Sequence, residues 1–373
     1  MSSHSFKVMV SAMTVVFFSA LAGAQSSEVK AIYDASSSVL TNVAGVRTFN
    51  APPAGFNPVA ASDEELATYG FPPRPNQEND PAEYSRWAKA MAAAKIRWNG
   101  ELKPTSLYSG PARASAKPAA AVSATSATTA VYYLNWSGFI NTNSLTAFNP
   151  NTSFSYISSE FNVPAVSQAV NACDGGWDWE VSWNGIDGSK NPNALLQGGS
   201  ASGAFCSAST KFTSYYAWVE WYPAYPMLQE FSINPGDDMY VATWVTSPTQ
   251  GYVFVIDMTK SLSYTAALTP NGGPGLIGNS AEYIVERPCC RGANEYPLPN
   301  YVWDFWANNS AYTFAGKAKG TTAYYPGSTA ASNWLSYMVD DHDTQVISAP
   351  TAQGKYGIFF EAEHCAVDPG CTP

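Results

Sequence analysis

From Val131 onward the chain alternates apolar with polar positions in short runs set off by Gly, Pro, Asn, Asp and Ser. The pattern is clearest in Thr152–Val163, Trp177–Trp183, Phe212–Trp221, Met239–Thr246, Tyr252–Met258, Ala281–Glu286 and Tyr356–Ala362. These runs are rich in β-branched and aromatic residues, which suit a pleated, half-buried surface, and turn residues bound them, so they read as strands. No helical period of useful length survives here. The prediction is an all-β fold, a sandwich or barrel in one domain of about 240 residues. Within Phe212–Trp221, period two puts Tyr216, Trp218 and Glu220 on one face and Tyr215, Ala217, Val219 and Trp221 on the other. One sheet face is therefore expected to form an aromatic-lined groove.

Upstream the pattern is different. Residues 8–24 form the one long apolar run, after Lys7, and close on Ala22-Gly23-Ala24. A basic start, an apolar stretch and an A-x-A site make a secretory signal, which predicts a secreted, extracellular protein. Residues 25–79 are polar and Pro/Ala-rich. A helix is predicted at about 81–98, with Asp80 as N-cap, Pro81 at the first helical position and an Ala-, Lys- and Arg-rich run to Trp98. Residues 104–130 are Pro/Ala/Ser/Thr low-complexity sequence, expected to be a flexible, protease-accessible linker. Together these predict a zymogen: signal 1–24, partly helical pro-segment 25–130 and body 131–373.

Charge sharpens the division. Residues 1–130 carry 11 Lys/Arg and 9 Asp/Glu, net +2, whereas residues 131–373 carry 8 and 20, net −12, which together give the −10 of the whole chain. An acidic, Lys-poor body repels phosphates, which argues against nucleic acid or an anionic membrane as partner. Charged residues at 13% beside aromatics at 14% exclude a disordered chain. All six cysteines lie in the body, and in an exported protein they read as up to three disulfides with the pairing left open.

The candidate chemistry narrows by elimination. A Ser-His-Asp enzyme needs a histidine base, and the body offers only His342, inside the charged run Asp340–Asp343, and His364, near the C-terminus. No G-x-S-x-G elbow, Walker loop or H-E-x-x-H is present, and no C-x-x-C pair supports a metal site. Carboxylates remain. Glu220, Glu282 and Glu286 stand among apolar strand residues, and period two puts Glu282, Ile284 and Glu286 on one face.

Four blocks then carry a resemblance: Trp183-Asn184-Gly185-Ile186-Asp187-Gly188, Ala194-Leu195-Leu196-Gln197-Gly198-Gly199, Glu220-Trp221-Tyr222-Pro223 and Ala281-Glu282-Tyr283-Ile284-Val285-Glu286. In order and spacing they resemble the glutamic peptidases called eqolisins, and Asn135-Trp136-Ser137-Gly138 looks like the start of that family's mature chain. The resemblance implies a concanavalin-like β-sandwich of two packed antiparallel sheets. It implies an acid-acting endopeptidase with a dyad of Gln197 and Glu282, and a cleft lined by Trp183 and Asp187. Glu220 and Glu286 are further substrate-binding candidates on the aromatic face. Cys289-Cys290 and the tail from about Trp334 have no counterpart in the family pattern, so the tail is expected to be an extension.

In that dyad an ionised Glu282 takes a proton from an attacking water, the Gln197 amide donates to the oxyanion, and Glu282 returns the proton to the leaving nitrogen. No cofactor and no metal are called for. The expected partners are protein or peptide substrates and the chain's own pro-segment as intramolecular inhibitor, on a monomer. The rival readings are a glycoside hydrolase using Glu220 with Glu282 or Glu286, in which Gln197 is dispensable, and a lectin-like binding module in which no glutamate matters.

Overall fold

The computed structural model describes residues 38–116, 120–121, 128–169, 173–208, 210–289, 295–301, 303–319, 323–324, 332–353 and 359–364. The signal expected at 1–24 lies outside them. The N-terminal part carries β1 (Ser38–Leu40), β2 (Arg47–Phe49), α1 (Asp63–Thr68), α2 (Pro81–Ala93), β3 (Ile96–Arg97), β4 (Lys103–Pro104) and β5 (Ala120–Ala121). The body follows with β6 (Thr128–Tyr133), β7 (Trp136–Thr142), β8 (Phe154–Asn162), β9 (Asp174–Ile186), β10 (Leu195–Ser207), β11 (Thr210–Tyr222) and β12 (Leu228–Ser232). Next come β13 (Asp238–Ser247), β14 (Gln250–Asp257), β15 (Leu262–Leu268), β16 (Ser280–Glu286) and β17 (Trp303–Thr313). The chain ends with α3 (Phe314–Lys319), β18 (Ala323–Tyr324), β19 (Ser332–Val339), β20 (Val346–Gln353) and β21 (Phe359–His364).

Pairing sorts the body into two packed sheets. The first runs β6-β19-β7-β16-β9-β10-β11-β12 and is antiparallel except at β6–β19. The second runs β17-β8-β13-β14-β15, all antiparallel. The β20–β21 hairpin joins them at one edge, β20 pairing with β19 and β21 with β17. The tail expected as an extension thus enters the sandwich, with β19 seated between β6 and β7.

Alternation decides which face each residue serves. Leu196, Val219, Trp221, Tyr283 and Val285 point between the sheets, where they meet Val241, Val253 and Val255. Val181, Trp183, Leu195, Tyr216, Trp218 and Ile284 take the outer face of the first sheet, the aromatic groove. Cys173 and Cys206 form a disulfide, and Cys289 is also disulfide-bonded.

The N-terminal part clasps both outer faces. Asp80 caps α2 by accepting from the Glu83 amide at 3.1 Å, and Trp87, Ala90 and Met91 pack on Tyr156, Tyr240, Trp244 and Phe254 of the second sheet. The helix stops at Ala93, short of the predicted 98, because the next residues pair with the body. Ile96 donates to the Ser261 carbonyl at 2.9 Å, and the Arg97 guanidinium reaches Thr265 Oγ1 at 2.6 Å and the Tyr69 carbonyl at 2.7 Å. Over residues 104–116 the stretch expected to be a flexible linker instead crosses the groove of the first sheet, starting where β4 pairs with β12.

Candidate active site

Three neighbouring strands set the groove floor. In their register Gln197 on β10 lies beside Gly185 on β9, and Gly185 lies beside Glu282 on β16, while Glu220 on β11 flanks Gln197 on its other side. The glycine is required by space: a β-carbon at position 185 would stand 3.0 Å from Gln197 Cβ and 2.9 Å from the Leu196 carbonyl oxygen. On a flat sheet Glu282 would be the nearer carboxylate to Gln197, about 10 Å away between Cα atoms, with Glu286 roughly 13 Å further along its strand.

The structure brings Gln197 together with Glu286 instead. A single oxygen bridges them: Ser109 Oγ lies 3.1 Å from Gln197 Oε1 and 2.5 Å from Glu286 Oε2. Gln197 Nε2 donates to the Ser109 carbonyl and, at 3.2 Å, to Glu220 Oε2. Glu220 Oε2 also accepts from the Ser109 amide at 3.0 Å. Glu286 is held by Trp183 Nε1 at 2.8 Å, the Gly110 amide at 3.0 Å and Asn135 Nδ2 at 3.3 Å. All of these side chains are buried beneath the 104–116 segment.

Glu282 and Asp187 lie elsewhere. The Glu282 oxygens make none of these contacts, and the carboxyl sits buried near Ser280, Ser189 and Asp187. Asp187 holds a turn through its carboxylate. At a left-handed φ of 69° it turns the chain after β9, and its carboxylate accepts from the amides of Ile277 at 2.6 Å, Gly278 at 3.1 Å and Asn279 at 2.9 Å, and from Asn191 Nδ2 at 3.0 Å.

Residues 134–342, which carry every carboxylate of the groove, match the profile described as the Peptidase A4 family. The chain belongs to the Peptidase A4 family. Aspergillopepsin-2 of Aspergillus niger is 28% identical over 242 residues, which cover 60% of this chain and 76% of that protein. Scytalidopepsin B of Scytalidium lignicola is 28% identical over 155 residues, 41% of this chain and about half, 51%, of that protein. The crystal structure of scytalido-glutamic peptidase with a transition state analog inhibitor aligns over 62% of this chain and 98% of its own, at 19% identity and a TM-score of 0.47. That of aspergilloglutamic peptidase from Aspergillus niger aligns over 50% and 99%, at 24% identity and a TM-score of 0.41.

The groove of this Peptidase A4 member holds the buried carboxyl groups of Glu220, Glu282 and Glu286. Burial pushes Glu286 up to about 8, against the hydrogen bonds from Ser109, Trp183, Gly110 and Asn135 that favour its anion. Burial likewise lifts Glu220 well above the usual carboxylate range; the Ser109 amide opposes the rise and the neighbouring Glu286 adds to it. Glu282 is raised by its own burial and further by Asp187. Proton counting agrees with the Glu286 shift. A hydroxyl has one proton, so Ser109 cannot donate to both Gln197 Oε1 and an ionised Glu286. A protonated Glu286 supplies the missing donor. Ser109 is the groove residue that sequence reasoning missed, because nothing in a Pro/Ala/Ser/Thr stretch marks one serine over the next. Asn135 stands in the motif at the start of the body, but its type does not reveal that it holds a carboxylate.

Proposed function

We propose that this protein is a secreted, acid-acting endopeptidase, made as a zymogen, that cuts protein or peptide substrates with Gln197 and Glu286 as the reacting pair in place of Gln197 and Glu282. The observation that carries the reading is the one oxygen held between Gln197 Oε1 and Glu286 Oε2. A water at that point has two protons to give, one to each acceptor, and a lone pair free for a carbonyl carbon. Burial under residues 104–116 is the main cause of the raised Glu286 pKa, so departure of that segment leaves Glu286 ionised, and it takes the proton of the water as the water attacks. Gln197 Nε2 donates to the developing oxyanion, and Glu286 returns the proton to the leaving nitrogen. Glu220 fixes which end of the Gln197 amide faces the substrate carbonyl by accepting from Nε2 at 3.2 Å. Trp183 and Asn135 aim Glu286.

The pro-segment reading rests on residues 104–116 lying in the groove and α2 lying on the opposite face, with Lys89 paired to Glu160 at 3.0 Å and Arg113 paired to Glu295. The test is kcat/KM on a denatured protein at acid pH, with melting temperature measured in parallel. Gln197→Ala and Glu286→Gln should each lose about 100-fold or more, the cost of removing one oxyanion donor or the proton carrier. Glu282→Gln should stay within about tenfold of the parent. An inactive Glu282→Gln beside an active Glu286→Gln would reverse the assignment, and hydrolysis of a polysaccharide but not of protein would favour a glycosidase.

A further inference from the structure

The segment in the groove is held as a substrate would be. The carbonyl of Ser109 accepts from Gln197 Nε2, and the amide of the next residue, Gly110, donates to Glu286 Oε1 at 3.0 Å. Both ends of one peptide bond therefore rest on the groups assigned to the oxyanion and to the leaving nitrogen. The flanking backbone is bound as an added strand. Lys103 and Pro104 pair with Gln229 and Leu228, and Thr105 donates to the Met227 carbonyl at 3.0 Å. Tyr108 forms an antiparallel bridge with Cys289, and Ala112 donates to the Gly188 carbonyl at 3.1 Å. Leu107 fixes the register by burying its side chain in the aromatic cluster two residues before the bond.

One atom departs from this picture. Ser109 Oγ stands between Gln197 Oε1 and Glu286 Oε2, where a nucleophilic water has to stand. The hydroxyl cannot take over the water's role on its own carbonyl, because attack there would close a four-membered ring.

We propose that residues 103–113 bind as a substrate, and that the Ser109 hydroxyl, by filling the seat of the attacking water, protects the Ser109–Gly110 bond from the site on which it lies. The proposal rests on the Gln197–Glu286 reading and adds to it a latent self-cleavage site, locked by one side-chain oxygen. With that oxygen removed, water enters and attacks the carbonyl carbon of residue 109. Its proton passes to Glu286 and then to the nitrogen of Gly110 as the C–N bond breaks, leaving a carboxyl at 109 and an amine at Gly110.

The test uses the full-length secreted chain, as wild type, as Ser109→Ala and as Ser109→Ala/Glu286→Gln, held at a series of pH values from acid to mildly alkaline, so that Glu286 is ionised over part of the range, and followed by N-terminal sequencing and intact mass. Ser109→Ala should yield a chain beginning at Gly110 at least about tenfold faster than wild type, and the double variant should not yield it. A synthetic peptide of residues 103–114, added in trans at saturating concentration, reads the same event if the substitution loosens the segment. The wild-type peptide should inhibit without turnover, and the Ser109→Ala peptide should be cut after position 109. Equal cleavage of the two peptides, or none of either, overturns the lock while the enzyme still degrades a denatured protein. Loss of that degradation activity would instead remove the peptidase reading beneath it.

Discussion

The indole of Trp183 serves packing and chemistry with one side chain. Its ring meets Trp136 edge-on, with centroids 5.0 Å apart at 74°, and its N–H reaches Glu286 at 2.8 Å. Trp183→Phe keeps an aromatic ring and removes the donor, one of four that favour the Glu286 anion. Losing it raises the Glu286 pKa. Since the proposed mechanism needs an ionised base, the acid limb of the pH–kcat/KM curve should move to higher pH, with roughly tenfold lower activity on that limb. An unmoved limb with a lowered melting temperature would reduce Trp183 to a packing residue. The choice between Glu282 and Glu286 is likewise made at single residues. Period two places both on the groove face, and flat-sheet register favours Glu282. What singles out Glu286 is the set of donors around it, Trp183 on another strand, Asn135 before β7 and Gly110 in the segment that crosses the groove. None of these contacts follows from spacing within the Ala281–Glu286 block. The four-block pattern therefore made the groove legible, and the carboxylate that shares the Ser109 hydroxyl with Gln197 was not.

At the scale of elements, α2 packs the N-terminal part onto the second sheet. Trp87 is fully buried, with its Nε1 donating to the Pro72 carbonyl at 3.1 Å. The buried Glu83 accepts from Ser158 and Ser310, each at 2.7 Å, and from Arg86 at 2.7 Å. Trp87→Ala should cost about 3–5 kcal/mol of docking, the usual range for emptying a buried tryptophan site. The unprocessed chain should then show hydrolysis of a short peptide where the parent shows little, and its N-terminal part should be digested first by an added protease. Unchanged hydrolysis by Trp87→Ala would mean that the groove segment holds the N-terminal part in place without the helix. The start of α2 was readable because its cap is local, an Asp before a Pro. Its end was not, because Arg97 is drawn off by Thr265 and Tyr69, far away in sequence or on another element. The same holds for residues 104–116. They dock largely through backbone hydrogen bonds, which low-complexity composition neither predicts nor forbids.

Across the whole molecule, buried acid is arranged so that acid stabilises the fold. Glu180 on β9 and Asp304 on β17 face each other between the two sheets, and Ser182 Oγ lies within hydrogen-bond reach of both, donating to one carboxyl and accepting from the other. Burial is the largest cause in each case, raising Asp304 from 3.8 to about 7, while Ser182 and Trp306 Nε1 at 2.8 Å work in the other direction. Glu180 is raised well above its usual range by burial and then by Asp304. The sign follows from proton counting. As pH climbs from about 4 to about 7 the unfolded chain releases the Asp304 proton and the folded chain keeps it, so the unfolded state binds fewer protons and stability falls. For Asp304 alone the loss is on the order of a few kcal/mol. Acid brings little opposing repulsion, because the body has only 8 Lys/Arg and two histidines to carry positive charge. The melting temperature should therefore fall steadily from pH 4 to pH 7. Asp304→Asn, which is neutral throughout and can still accept from Trp306, should flatten that slope and be the more stable protein at pH 7. A melting temperature that rises over this interval, or an identical slope in Asp304→Asn, would place the pH sensitivity of the sandwich somewhere other than the seam between its sheets.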